Sequence, residues 1–234
     1  MQAIILAGGF GTRLQPVVKD VPKPMADING KPFLAYLLQY LQEYGFTDCC
    51  ISVGYLQEKI IAYFGDNFLK MNVSYATEDK PLGTGGAIIN SLKHCKKSQP
   101  IVVLNGDTFL QIDYKKLLEF HREKKSQLTM VLRKMHDCSR YGSVEVDQNN
   151  RVTSFKEKST SGREGLINGG IYVVDPEIFH QFNLSEQFSF EQDFLVKFLP
   201  ELQPYGFIAD DYFIDIGIPQ DYKKAQEDFF KKLK

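Results

Sequence analysis

The stretch "AIILAGGFGTRLQPVVKDVPKPM" (residues 3–25) joins an apolar run to a glycine-rich turn and then to a lysine held between two prolines. The run "AIILA" (3–7) has no polar alternate position, so it reads as a strand buried on both faces. Gly8, Gly9 and Gly11 follow at once, and bare backbone lets N–H groups approach a phosphate closely. In an open parallel sheet, ligands bind beyond the carboxyl ends of the strands. The turn is therefore a candidate phosphate cradle, with Arg13 as its charged member. It is neither G-x-G-x-x-G nor a loop followed by G-K-[ST], so neither the dinucleotide fingerprint nor the P-loop is satisfied. A tight turn that needs glycine for its own geometry is the other reading, and the turn alone does not choose.

Lys23 sharpens the case. Pro22 and Pro24 fix their own φ and restrict the residues before them. A lysine on so stiff a backbone loses little further entropy when it grips an anion. Two carboxylates extend the argument. Asp107 ends the run "IVVLNGD" (101–107), and Asp215 ends a shorter one in "YFIDIG" (212–217). Both are expected at the sheet edge that carries the glycine turn. Two acids converging on a phosphate site call for a cation between them. Mg²⁺ fits, since it takes one or two carboxylates plus phosphate oxygens. Taken singly, each acid reads equally as a strand-end cap.

Working outward, strand and helix signals alternate. Strands are expected at 3–7, 49–53, 72–76, 101–107 and 128–134, with helices at 32–45, 56–65, 84–95 and about 113–124. Such alternation predicts an α/β fold with a mostly parallel, Rossmann-like mixed sheet and helices on both faces. Beyond residue 135 the pattern changes. Residues 142–158 alternate like an antiparallel hairpin around Asn149-Asn150, 167–175 returns to a buried strand, and 188–199 and 219–234 read as helices. No repeat, linker or low-complexity tract divides the chain. One domain, residues 1–234, with a small antiparallel β insertion is expected.

The 234 residues can bury a core without staples. The chain carries 28 basic and 29 acidic residues, a net charge of -1. That balance argues against nucleic acid or an anionic membrane as partner. Cys49, Cys50, Cys95 and Cys138 show no metal-ligand spacing and read as buried, reduced thiols. No signal peptide and no run near the ~20 apolar residues of a membrane span is seen. A cytoplasmic location is expected.

The segments "LAGGFGTRLQP", "PKPM", "PLGTGGA", "NGD", "FKEK", "NGGIYV" and "FIDIGIPQDY" occur in this order over residues 6–222. As an ordered set, they resemble the sugar-1-phosphate nucleotidyltransferases, the nucleoside-diphosphate-sugar pyrophosphorylases. The resemblance implies the nucleotide-diphospho-sugar transferase fold. It also implies a reaction that joins a nucleoside triphosphate to a sugar 1-phosphate and releases pyrophosphate, with Mg²⁺. By match to the family motifs, Leu6, Ala7, Gly8, Gly9, Gly11, Thr12, Arg13, Pro81, Gly83 and Thr84 would hold the nucleotide. Arg13, Lys23, Asp107 and Asp215 would be catalytic, the last two as metal ligands. Lys23, Gly142, Glu157, Lys158 and Asn168 would hold the sugar phosphate. His94, His121, His136 and His180 match no motif.

Many relatives read the base with a glutamine ahead of the LGTG-like segment; Glu78 falls at or near that place. A carboxylate only accepts hydrogen bonds, guanine presents two adjacent donors, and uracil presents a donor flanked by acceptors. Glu78 therefore favours guanine, unless it is a solvated strand-end acid. "GTGGAI", "NGGIYV" and "SFEQDF" are similar to guanylyltransferases acting on D-glycero-α-D-manno-heptose 1-phosphate in bacterial surface-glycan (capsule, lipopolysaccharide or S-layer) synthesis. Gly169, where many relatives carry Thr or Ala, is expected to enlarge the sugar pocket. No acyltransferase tail is expected. GTP and a sugar 1-phosphate are the expected partners, and a homo-oligomer is left open. A uridylyl- or cytidylyltransferase on another sugar or amino-alcohol phosphate, and an inactive regulatory nucleotide-binding subunit, remain alternatives.

Overall fold

The computed structural model describes residues 1–96, 99–156 and 164–232. Its first half follows the expected alternation. Strand β1 (Gln2–Leu6) leads through helix α1 (Phe33–Glu43) to β2 (Asp48–Val53), then through α2 (Gln57–Phe64) to β3 (Met71–Thr77). Helix α3 (Gly83–Ser91) then crosses back to β4 (Ile101–Asn105). β1 pairs parallel with both β2 and β4, and β2 pairs parallel with β3. The order β3-β2-β1-β4 thus reverses direction at β1. The crevice beyond the carboxyl ends of β1 and β4 is where such a sheet binds ligands.

The second half closes the other side of the sheet. β5 (Thr108–Leu110), α4 (Tyr114–Glu123) and β6 (Leu128–Met135) precede a hairpin of β7 (Ser143–Val146) and β8 (Val152–Lys156). β9 (Gly165–Val174) runs antiparallel to both β4 and β6. The hairpin turn is bonded to one acid, because Asp147 Oδ1 accepts from the backbone N–H groups of Asn149 and Arg151, both at 2.8 Å. β10 (Tyr205–Ala209) adds in parallel to β6. β11 (Phe213–Asp215) pairs antiparallel with β5 in a separate ribbon. Helix α5 (Pro219–Lys232) ends the described chain.

Period-two burial makes the two cores. Ala3, Ile5, Val102 and Leu104 face α1, α2, α4 and α5, whereas Ile4, Ile101 and Val103 face α3 and the segment after Phe188. α1 buries Phe33, Leu34, Leu37, Leu38 and Leu41 at helical spacing. α4 starts where Asp113 Oδ1 accepts from Lys115 N at 3.0 Å and Lys116 N at 3.2 Å.

Several details depart from expectation, among them β5, which was not read, and the helix expected at 84–95, which ends at Ser91 before a 3₁₀ turn. The helix expected at 188–199 is a π-helical turn, Phe190–Val196, followed by a short helix, Leu199–Leu202. Pro200 lacks the N–H that would continue one ladder. The strand β10 was not read from the sequence, because Gly206 interrupts its apolar run. A Cβ there would stand 2.5 Å from Leu132 Cδ1. Cys95 is half-buried rather than buried, while the other three cysteines are buried and all four are free. Among the described residues, no helix is long and apolar enough to cross a membrane.

Phe194 is fully buried and stacks on Phe190 with ring centroids 5.5 Å apart. Phe194→Ala is expected to lower unfolding free energy by about 3–5 kcal/mol, read as a fall in the urea midpoint with unchanged m-value.

Candidate active site

The glycine turn and Lys23 are built together. Gly11 has φ +60°, and a Cβ on it would lie 2.8 Å from Lys23 Cβ. Only glycine therefore lets the turn wrap the stem of the lysine. Lys23 opens a short 3₁₀ turn, Lys23–Met25, after Pro22, and Pro24 and Met25 are buried beneath it. The lysine backbone is anchored from below, and its ammonium points at the acids.

Asp107 and Asp215 meet because the β5–β11 ribbon puts Asp215 opposite Thr108. Lys23 Nζ donates to Asp107 Oδ2 at 2.6 Å and lies 3.6 Å from Asp215 Oδ1. Gly217 N donates to Asp215 Oδ1 at 2.7 Å, and Thr108 Oγ1 donates to Asp107 Oδ1 at 3.2 Å. Burial raises the Asp215 carboxyl above its ordinary value, and the charge of Asp107 adds to that; Lys23, the Gly217 N–H and Arg13 pull the other way. Asp215 thus stays raised even with Lys23 beside it.

Two cavities meet at this point. The first, of about 440 Å³, is lined by every residue assigned above to the nucleotide, together with Lys23 and Asp107. The second, of about 700 Å³, is lined by Asp215, Gly142 and Asn168, with Arg140 and Lys156 at its sides. Arg13, Asn105, Asp107, Glu191 and Gly217 border both. Glu157 and Lys158 lie outside the described residues. None of the four histidines borders either cavity. His121 is buried with its Nδ1 2.8 Å from Thr129 Oγ1.

On the side of the first cavity, Gly83 has φ +70°, and a Cβ there would stand 2.5 Å from Phe188 O. The segment is sewn to residues 188–190, since Gly85 N donates to Phe188 O at 3.0 Å and Phe190 N to Thr84 Oγ1 at 2.8 Å. Glu78 is half-buried. Its Oε1 accepts from Ser52 Oγ at 3.1 Å and its Oε2 from Leu82 N at 3.0 Å. It is therefore more than a solvated strand-end acid, because it ties β2 to the loop before α3 while bordering the cavity.

On the other side, Asn168 Nδ2 donates to Tyr172 OH at 2.6 Å and to Glu191 Oε1 at 2.8 Å. Arg140 Nη2 donates to Asp221 Oδ2 at 2.5 Å, linking the loop before Gly142 to the first turn of α5. Neither Arg140 nor Glu191 was singled out from the sequence. No local motif marks them, although a polar residue inside the aromatic run "FSFEQDF" was a usable signal for Glu191. The expectation for Gly169 is corrected. A Cβ on Gly169 would lie 2.8 Å from Leu110 Cδ2 and 3.0 Å from Val131 O. The glycine answers packing against β5 and β6, so its missing methyl does not widen the pocket.

Two cavities joined at a seam of cations and carboxylates are the layout of a transferase that works between two anionic substrates. The chain belongs to the nucleotidyl transferase family, whose model matches residues 2–232. It is 47% identical over 228 residues to the D-glycero-alpha-D-manno-heptose 1-phosphate guanylyltransferase of Aneurinibacillus thermoaerophilus, covering 97% of this chain and 98% of that one. It is 49% identical over 222 residues to the enzyme of the same name from Campylobacter jejuni, covering 95% and 97%. The crystal structure of HddC from Yersinia pseudotuberculosis superposes with a TM-score of 0.86 at 42% identity, covering 97% of this chain and 99% of that one. The same protein complexed with GMP-PN gives 0.85.

A raised Asp215 has a consequence for stability. The native state holds that proton more tightly than the unfolded chain. The stabilisation is complete below the unfolded carboxylate range and is lost as pH rises through the raised native value. An ionised Asp215 is therefore a stability cost. Asp215→Asn is expected to melt above the wild type at pH 7, with the gap closing as pH falls toward about 4. Thermal melts of metal-free protein across that range check it, and a variant that melts lower at pH 7 contradicts the burial account.

Proposed function

We propose that this protein joins GTP to D-glycero-α-D-manno-heptose 1-phosphate, giving GDP-heptose and pyrophosphate. The observation that carries the reading is the near-full-length identity of 47% and 49% to two heptose 1-phosphate guanylyltransferases. The neighbour at 42% identity whose complex holds GMP-PN supports a guanine nucleotide, as does the acceptor-only chemistry of Glu78.

In this reading an oxygen of the sugar phosphate attacks the α-phosphorus of GTP in line. A new P–O bond forms as the bond to the β-phosphate bridging oxygen breaks, and pyrophosphate leaves with the electron pair. No covalent enzyme intermediate is needed, so catalysis is positioning plus neutralisation of charge. The two substrates bring roughly six negative charges. The glycine turn and Thr12 hold the triphosphate, Arg13 stays with the departing pyrophosphate, and Lys23 spans the two reacting phosphates. Gly142, Glu157, Lys158 and Asn168 serve the sugar phosphate.

Nucleotidyl transferases of this family generally use a divalent metal ion. Among the described residues no group of three or more His, Cys, Asp or Glu is placed to hold one. Two carboxylates completed by phosphate oxygens suit Mg²⁺, which keeps few protein ligands. Asp107 and Asp215 would hold it, and it would neutralise phosphate charge there. The reaction belongs in the cytoplasm, where nucleoside triphosphates are supplied, and its product is an activated sugar donor for surface-glycan synthesis.

Pyrophosphate release measured for four NTPs against a panel of sugar 1-phosphates should give its highest kcat/KM with GTP and the heptose phosphate. UTP or CTP outperforming GTP would overturn the reading of the base. Lys23→Ala should lower kcat by about 10²–10³-fold, the effect of removing one preorganised charge donor. A loss below tenfold in a variant that still folds, by circular dichroism, would remove Lys23 from the reacting phosphates.

A further inference from the structure

Asn105 is the last residue of β4, at the carboxyl end that opens on the crevice of the sheet. It lies opposite Leu6 of β1. Side chains alternate along a strand, so Ile101, Val103 and Asn105 share one face. The first two are buried in the core beneath α3, and Asn105 is half-buried above them. It borders both cavities.

The neighbouring strand makes room for this side chain. The pairing of β9 with β6 slips between Asn168 and Tyr172, and such irregularities are over-represented next to active sites. Within the slip, Gly170 has φ +70°, and a Cβ on it would stand 2.8 Å from Asn105 Nδ2. Glycine there lets the amide lie against bare backbone. The amides of Asn29, Asn72, Asn90 and Asn168 all donate within the protein. Among the described residues, nothing hydrogen-bonds the side chain of Asn105.

An amide carries two donors and no charge, and that suits this place. An ammonium at position 105 would be drawn to Asp107, two residues on, whereas a neutral amide is left for the substrate. In the transfer proposed above, the two reacting phosphates meet where the cavities join, and the base and the sugar ring lie to either side. A hydrogen bond to an ionised acceptor is roughly twice as strong as a neutral one. We propose that Asn105 is a catalytic residue, whose amide donates to a non-bridging oxygen of the α-phosphoryl group as the sugar phosphate attacks. A donor fixed where charge develops acts mainly on the transition state. This role rests on the proposed transfer.

The test is the single-turnover rate of pyrophosphate release at saturating GTP, sugar phosphate and Mg²⁺, with the KM of each substrate and thermal melts beside it. Asn105→Ala should slow that rate by about 10²-fold, the effect of removing one preorganised donor. Both KM values should stay within about twofold, the pattern of an interaction made in the transition state. Asn105→Asp keeps the shape but replaces the donors with a negative charge, so it should be at least as slow as Asn105→Ala. Should Asn105→Ala fail to fold, Asn105→Leu, close in size and without donors, is read by the same split. An unchanged rate in a folded variant of an active wild type overturns this inference alone. An unchanged rate with a raised KM for one substrate assigns the amide to that substrate's base or hydroxyls and overturns it too, as does an Asn105→Asp variant faster than Asn105→Ala. A wild type that turns over no sugar 1-phosphate overturns the proposed function, and this inference with it.

Discussion

The ammonium of Lys23, set between Asp107 and Asp215, is the constraint on which the rest of the site depends. It requires glycine at position 11, a rigid Pro-flanked backbone beneath it, and a ribbon register that brings two acids from residues 107 and 215 side by side. As a stabilising device the cluster is poor, because desolvating ions is costly and a buried ion pair often gains little over apolar packing. Its value is readiness. In the proposed reaction, a lysine already poised beside two carboxylates needs little reorganisation when phosphates arrive, and such preorganisation is the larger part of electrostatic catalysis.

The halves of the fold divide the work. The parallel half, β1 to β4 with α3, supplies the turn, the LGTG segment and Glu78, so this side of the first cavity is made by strand ends and one helix start. The antiparallel half, β7 to β9 with the loop around Arg140, supplies the walls of the second cavity. The segment Phe188–Glu191 is bonded to both, through Gly85 and Thr84 on one side and through Glu191 to Asn168 on the other.

Legibility followed the distance over which each feature is encoded. The alternation of buried strands and amphipathic helices was readable through residue 135, because period and punctuation are local. The π-helical turn was not, since its sequence carries the same apolar spacing as an α-helix and differs only in how Phe190 and Phe194 pack. β10 was hidden by Gly206, which interrupts its apolar run. Gly169 was read as pocket space, but its Cβ direction is set by the neighbouring strands. Glu78 was placed by its distance from a motif, whereas its bonds to Ser52 and Leu82 could be seen only once β2 lay beside β3.

By itself the sequence determined the strand-turn with its bare backbone and fixed charge, the stiffened Lys23, and the order of motifs that marks the family. These are properties of contiguous residues, whose conformation is restricted by glycine, proline and periodicity. Only the tertiary structure decided which groups share a surface. Asp215 faces Asp107 through strand register, Arg140 joins Asp221 across the loop-helix contact, and Glu191 receives Asn168 from a strand 23 residues away in the chain. Pairing and packing choose those neighbours by burying apolar faces, and that choice belongs to the whole chain rather than to any segment of it.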